Sequence, residues 1–168
     1  MTGKNPLFSS IDPAVDYKEE VTGHTCYPKI LFSMSEIKKF RDNHSDPDSA
    51  DLFVFEYSNL PWVPARMYIM QNFVEGATRG NHAHKRLSQI FIMVSGRLEL
   101  EIYRGENRQS YILTPQSGEL ELKPGAWRVI SNASKDAILL VLADAAYDEE
   151  DYLRDWDVYL NWHKQNGE

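Results

Sequence analysis

From Asp51 to Ala143 the sequence falls into short runs rich in β-branched and aromatic residues: "LFVFEY", "RMYIM", "QIFIMVSG", "LELEIY", "SYIL", "ELEL", "RVIS" and "AILLVLA". Turn-forming stretches such as "VEGATRG", "RGEN" and "KPGA" separate them. A succession of short strands of this kind predicts an all-β sandwich or barrel. In "RLELEIYRG", Leu98, Leu100 and Ile102 alternate with Arg97, Glu99, Glu101 and Tyr103, so one face of that strand is expected to be buried and the other wet. "QIFIMV" is apolar on both faces and is expected at the centre of a sheet or at an interface.

The flanks read differently. Residues 1–50 are polar and end in "RDNHSDPDSA", where Asp, Asn, Ser and Pro favour turns, so a boundary is expected near Asp51 between an N-terminal extension and a domain over 51–168. Ser33 with Glu36 fits a capping box, which predicts a short helix in "SEIKKF". At the other end Tyr152, Leu153, Trp156, Tyr159, Leu160 and His163 fall at helical spacing. Asp148, Glu149, Glu150 and Asp151 would supply the cap and an acidic first turn, giving a C-terminal helix packed as a lid on the sheet. His24, His44 and His163 receive no functional role.

Composition narrows the function classes. A chain of 168 residues with 42% hydrophobic residues can bury one sizeable core. A net charge of -7 disfavours a nonspecific nucleic-acid binder but leaves room for a local basic pocket. The single cysteine, Cys26, allows no intrachain disulfide framework. The first twenty residues lack a signal-peptide core, and no run approaches the roughly 20 apolar residues of a membrane span. These features lead us to expect a soluble, cytoplasmic protein without a membrane partner.

The chemistry gathers around "RGNHAH" at Arg79 to His84. Two histidines two apart on a strand share a face, with Cα atoms about 7 Å apart. Gly76, His82, His84, Gln89 and Gly96 stand in a spacing similar to the first cupin motif. Metal-binding cupins place a glutamate where this chain has Gln89, and a further histidine where it has Arg128. A guanidinium is a fixed cation with no lone pair to give, and a carboxamide oxygen is a weak ligand, so no metal and no other cofactor is expected. Paired imidazoles without a metal suit proton transfer near neutral pH, and the candidate reaction is proton abstraction beside a carbonyl. Arg79, Arg128, Tyr68 and Gln89 could steady the developing enolate oxygen.

"RMYIM", "RGNHAHKRLSQIFIMVSGRLEL", "LKPGAWRVI" and "DAILLVLADAAYDEEDYLRDWDVYL" together resemble the sugar-nucleotide 3,4-ketoisomerases over about residues 51 to 160. The resemblance implies a cupin-type double-stranded β-helix, or jelly-roll barrel, carrying the C-terminal and the short N-terminal helix. It further implies a metal-free tautomerisation of a dTDP-linked keto-deoxysugar by His82 and His84, on the way to amino deoxysugars. On this reading Tyr68, Arg79, Gln89 and Arg128 line the pocket, Arg66 meets the nucleotide's diphosphate, and the protein is a homodimer. The chain departs from the family where Arg128 follows Trp127 in place of a histidine. A metal-dependent cupin oxygenase and a non-catalytic sugar-nucleotide-binding cupin are the competing readings.

Overall fold

The computed structural model describes residues 37–38, 40, 42–45 and 48–166. Every described residue belongs to one unit, Leu31–Glu168. In chain order the strands are β1 (Ile37–Lys38), β2 (Asp42–Ser45), β3 (Asp51–Val54), β4 (Arg66–Met70), β5 (Arg79–His84) and β6 (Gln89–Ser95). They continue with β7 (Leu98–Arg104), β8 (Asn107–Leu113), β9 (Glu119–Leu122), β10 (Trp127–Ser131), β11 (Ile138–Ala143) and β12 (Tyr152–Leu153), and a single helix, α1 (Trp156–Asn166), closes the described chain.

Two five-stranded sheets result, ordered β1-β9-β6-β11-β4 and β12-β5-β10-β7-β8, beside a β2-β3 hairpin. Every pairing among the described residues is antiparallel. Consecutive strands such as β5 and β6 lie in different sheets, so the chain crosses between layers in the manner of a jelly roll. Between the sheets, Leu98, Leu100, Ile102 and Ile130 of one meet Phe91, Met93, Leu120, Leu139 and Val141 of the other. The alternation read in "LELEIY" is therefore the physical basis of that layer: removing those side chains from water is the main favourable term in folding.

β6 lies at the centre of its sheet, between β9 and β11. Phe91 and Met93 face the inter-sheet core, while Ile90 and Ile92 join a second cluster with Phe40, Leu60 and Leu142. That second cluster explains why "QIFIMV" carries no polar face.

Two helix expectations change. Ile37 and Lys38 form a strand paired with Leu120 and Glu119, not a helix; the capping pair Ser33 and Glu36 lies outside the described residues. At the C-terminus the helix begins at Trp156, because the residues before it have stronger tertiary partners. Asp148 caps a 3₁₀ turn over Glu149–Asp151, and Tyr152–Leu153 pairs with His84 and Ala83. Asp155 then starts α1, accepting the Val158 N–H at 2.9 Å. Tyr159 of that helix is fully buried against Ala83, Trp127 and Leu153, so α1 does cover the second sheet. Asp42–Ser45, read as turn-forming, is a strand paired with β3.

Candidate active site

The site begins with a backbone irregularity. Gly80 and Asn81 have φ of 84° and 52°, in the left-handed region. Arg128 pairs with His82 while Val129 pairs with Gly80, which leaves Asn81 as the extra residue of a bulge. A Cβ on Gly80 would stand 2.7 Å from the Arg128 carbonyl oxygen. Only glycine lets β5 lie this close to β10 and set His82 beside Arg128.

His82 and His84 face the same side, their ring centroids 5.0 Å apart in an edge-on arrangement. His82 Nδ1 lies 2.7 Å from the Gly80 carbonyl, and His84 Nδ1 lies 3.0 Å from Asp151 Oδ2. Both partners only accept, so each Nδ1 carries the hydrogen and each neutral ring keeps its lone pair on Nε2. His84 Nε2 is buried and has no hydrogen-bond partner among the described residues. Burial and then the Arg128 charge push His82 down to about 4. Burial, then Arg128 and then His82, push His84 down to about 2. Both imidazoles are uncharged at neutral pH. The Asp151 carboxylate favours the charged ring, and so supports His84 at the moment it takes a proton.

Arg128 is 3% exposed. Burial lowers it to about 10, so it is a cation at neutral pH. It donates to the His82 carbonyl at 3.1 Å and to Gln89 Oε1. Gln89 in turn donates from Nε2 to the Tyr68 hydroxyl at 2.8 Å. Burial raises the Tyr68 phenol above its usual value, which keeps it protonated. Among the described residues no three His, Cys, Asp or Glu side chains are grouped to share a metal ion. The histidine, arginine and carboxamide donors present suit a proton and an anion better than a divalent cation.

A cavity of about 350 Å³ opens between the sheets, walled by Arg66, Tyr68 and Met70 of β4, Gly80 and His82 of β5, Phe91, Arg128 and Ile130, and closed by Tyr152 and Arg154. Its volume is at the small end of ligand sites, enough for a sugar ring with the rest of a ligand at the mouth. The Arg66 guanidinium lies 5.4 Å from the Tyr68 ring centre and 5.7 Å from that of Tyr147. Arg154 stacks 4.1 Å over Tyr152 and holds Glu149 through two bonds of 2.9 and 3.0 Å.

The structure thus brings Arg66, Tyr68, His82 and Arg128 to one cavity, with His84 beside His82. Gln89 sits behind that wall, 2% exposed, with both ends of its amide engaged. Arg79 is exposed and is not among the cavity's lining residues. Sequence reading missed Asp151, Tyr152 and Arg154. All three were absorbed into the expected helix start. The signal that could have found them was the apolar pair Tyr152–Leu153 lying within an acidic run, which also fits a short strand.

The family model described as "FdtA: WxcM-like, C-terminal" matches residues 32–164. A curated relative, TDP-4-oxo-6-deoxy-alpha-D-glucose-3,4-oxoisomerase of Aneurinibacillus thermoaerophilus, is 31% identical over 107 residues, covering 64% of this chain and 77% of the relative. A solved 3,4-ketoisomerase from Helicobacter canadensis has a TM-score of 0.72 at 34% identity, covering 77% of this chain and 97% of that one. The 3,4-ketoisomerase QdtA of Thermoanaerobacterium thermosaccharolyticum, solved as a histidine-to-asparagine mutant in complex with TDP-4-keto-6-deoxyglucose, has a TM-score of 0.74 at 28% identity, covering 79% and 96%. With the paired histidines, the metal-averse arginine and the jelly-roll cavity already in place, these matches mean that the chain belongs to the FdtA-like family of cupin-fold sugar-nucleotide 3,4-ketoisomerases.

Proposed function

We propose that the protein converts a dTDP-linked 4-keto-6-deoxyhexose into its 3-keto isomer by histidine acid–base chemistry. The observation that carries the mechanism is the His84–Asp151 pair, with the buried Nε2 of His84 left without a partner among the described residues. Of the two rings, His84 is the one with an anion behind it. A proton arriving there is balanced by a carboxylate at 3.0 Å, whereas His82 has only a backbone carbonyl behind it. His84 Nε2 removes the C3 proton, and the electrons move to the C4 oxygen, which takes the hydroxyl proton of Tyr68. The enediol then collapses the other way: His84 returns its proton to C4, the C3 hydroxyl gives its proton to the Tyr68 phenolate, and a C3 carbonyl remains. No oxidant or reductant is needed. His82, lining the cavity, accepts a hydrogen bond from a sugar hydroxyl and shares in proton handling. Arg66 and Arg154 offer positive charge for the diphosphate at the mouth.

Incubation with dTDP-4-keto-6-deoxyglucose in heavy water should place deuterium on the sugar ring, with NMR identifying the 3-keto product. His84→Ala and His82→Ala should each abolish it, and no exchange with the intact protein would reject the reading. Exposed Met67, Ile69 and Val94 favour a homodimer, which light scattering would measure. We place its site of action in the cytoplasm, on the composition argument above, and cell fractionation would test that.

A further inference from the structure

The hydrogen bonds that join Arg128, Gln89 and Tyr68 have only one possible sense. A guanidinium has donors and no acceptor, so the bond from Arg128 requires Gln89 to present its carbonyl oxygen. The amide nitrogen of Gln89 is thereby turned to Tyr68, 2.8 Å from the hydroxyl. An amide N–H cannot accept, so the phenol oxygen receives, and the phenol hydrogen must leave in another direction. Tyr68 lines the cavity, and Gln89 is too buried for water to compete for its amide.

We propose that Gln89 is a positioning residue that fixes the Tyr68 hydroxyl as a donor toward the cavity, so that its proton meets the substrate's oxygen. The inference rests on the isomerase reading of the site. The Arg128 charge at the far end polarises the chain in the same sense, since each bond in a low-dielectric network strengthens the next. A glutamate at this position would reverse the arrangement. One carboxylate oxygen would take Arg128, the other would accept from Tyr68, and the phenol proton would point into the wall.

Two substitutions separate positioning from packing. Gln89→Glu keeps the shape and a bond to Arg128, whereas Gln89→Met keeps the volume, loses both bonds and leaves the Tyr68 hydroxyl free to rotate. If Gln89 aims the hydroxyl, Gln89→Glu should lower kcat by about a hundredfold, the usual loss for one donor to a developing oxyanion. Gln89→Met should cost about tenfold or less, the worth of an ordinary hydrogen bond. In a Tyr68→Phe background the two should become equal. Both should still be stabilised by dTDP against thermal unfolding. Because Gln89→Glu also sets a carboxylate beside Arg128, kcat is compared on the plateau of each variant's pH profile. Gln89→Met as slow as Gln89→Glu, or slower, would show a packing role and overturn the inference. An arm that does not depend on turnover uses protein labelled at the tyrosine ζ carbon. There, NMR should show Tyr68 titrating at higher pH in Gln89→Glu than in the native protein, and an unchanged titration would also overturn it. Failure of the native protein to exchange deuterium would instead remove the isomerase reading and leave the hydroxyl's direction to be read from the NMR arm.

Discussion

Replacing Asp151 with asparagine should disable turnover while leaving the fold nearly intact. The carboxylate accepts from His84 Nδ1 at 3.0 Å, from the Arg86 N–H at 2.8 Å and from the Leu87 N–H at 3.3 Å. An amide of the same shape has one acceptor oxygen. With that oxygen on Arg86, the NH₂ group faces the imidazole, whose proton then moves to Nε2 so that Nδ1 can accept; the base has lost its lone pair. With the amide flipped, two donors meet at Arg86, and the imidazolium formed in the reaction has no anion behind it. Losing hydrogen bonds to a charged acceptor costs about 2 kcal/mol, which for a chain of this size lowers Tm by roughly 4–8 °C. Losing a positioned general base costs far more in rate, about 10²–10⁴ in kcat. Deuterium wash-in followed by NMR gives the rate, scanning calorimetry gives Tm, and protection by dTDP confirms the pocket. A kcat within tenfold of native together with the lowered Tm would show that Asp151 only ties the 3₁₀ turn to β5, and would refute the His84–Asp151 base.

Other outcomes follow from the same geometry. Because both imidazoles must be neutral to accept a proton or a hydrogen bond, and His82, the higher of the two, is held at about 4, kcat/KM should be flat through pH 6.5 and fall only toward pH 4, so an inflection near 6.5 in a pH–rate profile would contradict the assigned histidine environments. The same depression makes the unfolded chain the better proton binder between pH 6.5 and about 4, so stability should fall as pH is lowered across that window, read as a declining urea midpoint. Gly80→Ala must fit a Cβ 2.7 Å from the Arg128 oxygen at a φ of 84°, and should lose about 1–3 kcal/mol in denaturant unfolding. Treatment with EDTA should leave turnover unchanged, because Arg128 takes the place of a metal ligand; activity lost to chelator and restored by iron would favour the oxygenase reading.

The parts legible in the sequence are those where one residue type at one spacing has a single physical meaning. The alternation of Leu98, Leu100 and Ile102 implies one buried strand face, and all three lie in the inter-sheet core. The doubly apolar "QIFIMV" implies a central strand or an interface, and β6 lies mid-sheet with a core cluster on each side. His82 and His84 two apart imply one shared face, and their rings stand edge to face, 5.0 Å apart. Arg128 in place of a ligand follows from spacing, and it is buried beside those rings.

What escaped was whatever depended on competition between local and distant partners. The segment from Asp148 to Leu153 has helical spacing and a helix-start composition, yet Asp151 finds three donors around His84 and Tyr152–Leu153 finds the edge of β5. Local propensity is worth a fraction of a kcal/mol per residue, and a buried charged carboxylate with its donors outweighs it. The direction of the Tyr68 hydroxyl is likewise absent from any one-dimensional pattern, since it depends on Arg128 and Gln89 from other strands meeting in a dry interior. Residue chemistry and period thus determined the layers and the pair of imidazoles. Only the folded chain decided which carboxylate backs the pair and which way the phenol proton points, because those outcomes depend on groups far apart in sequence satisfying one another where water cannot.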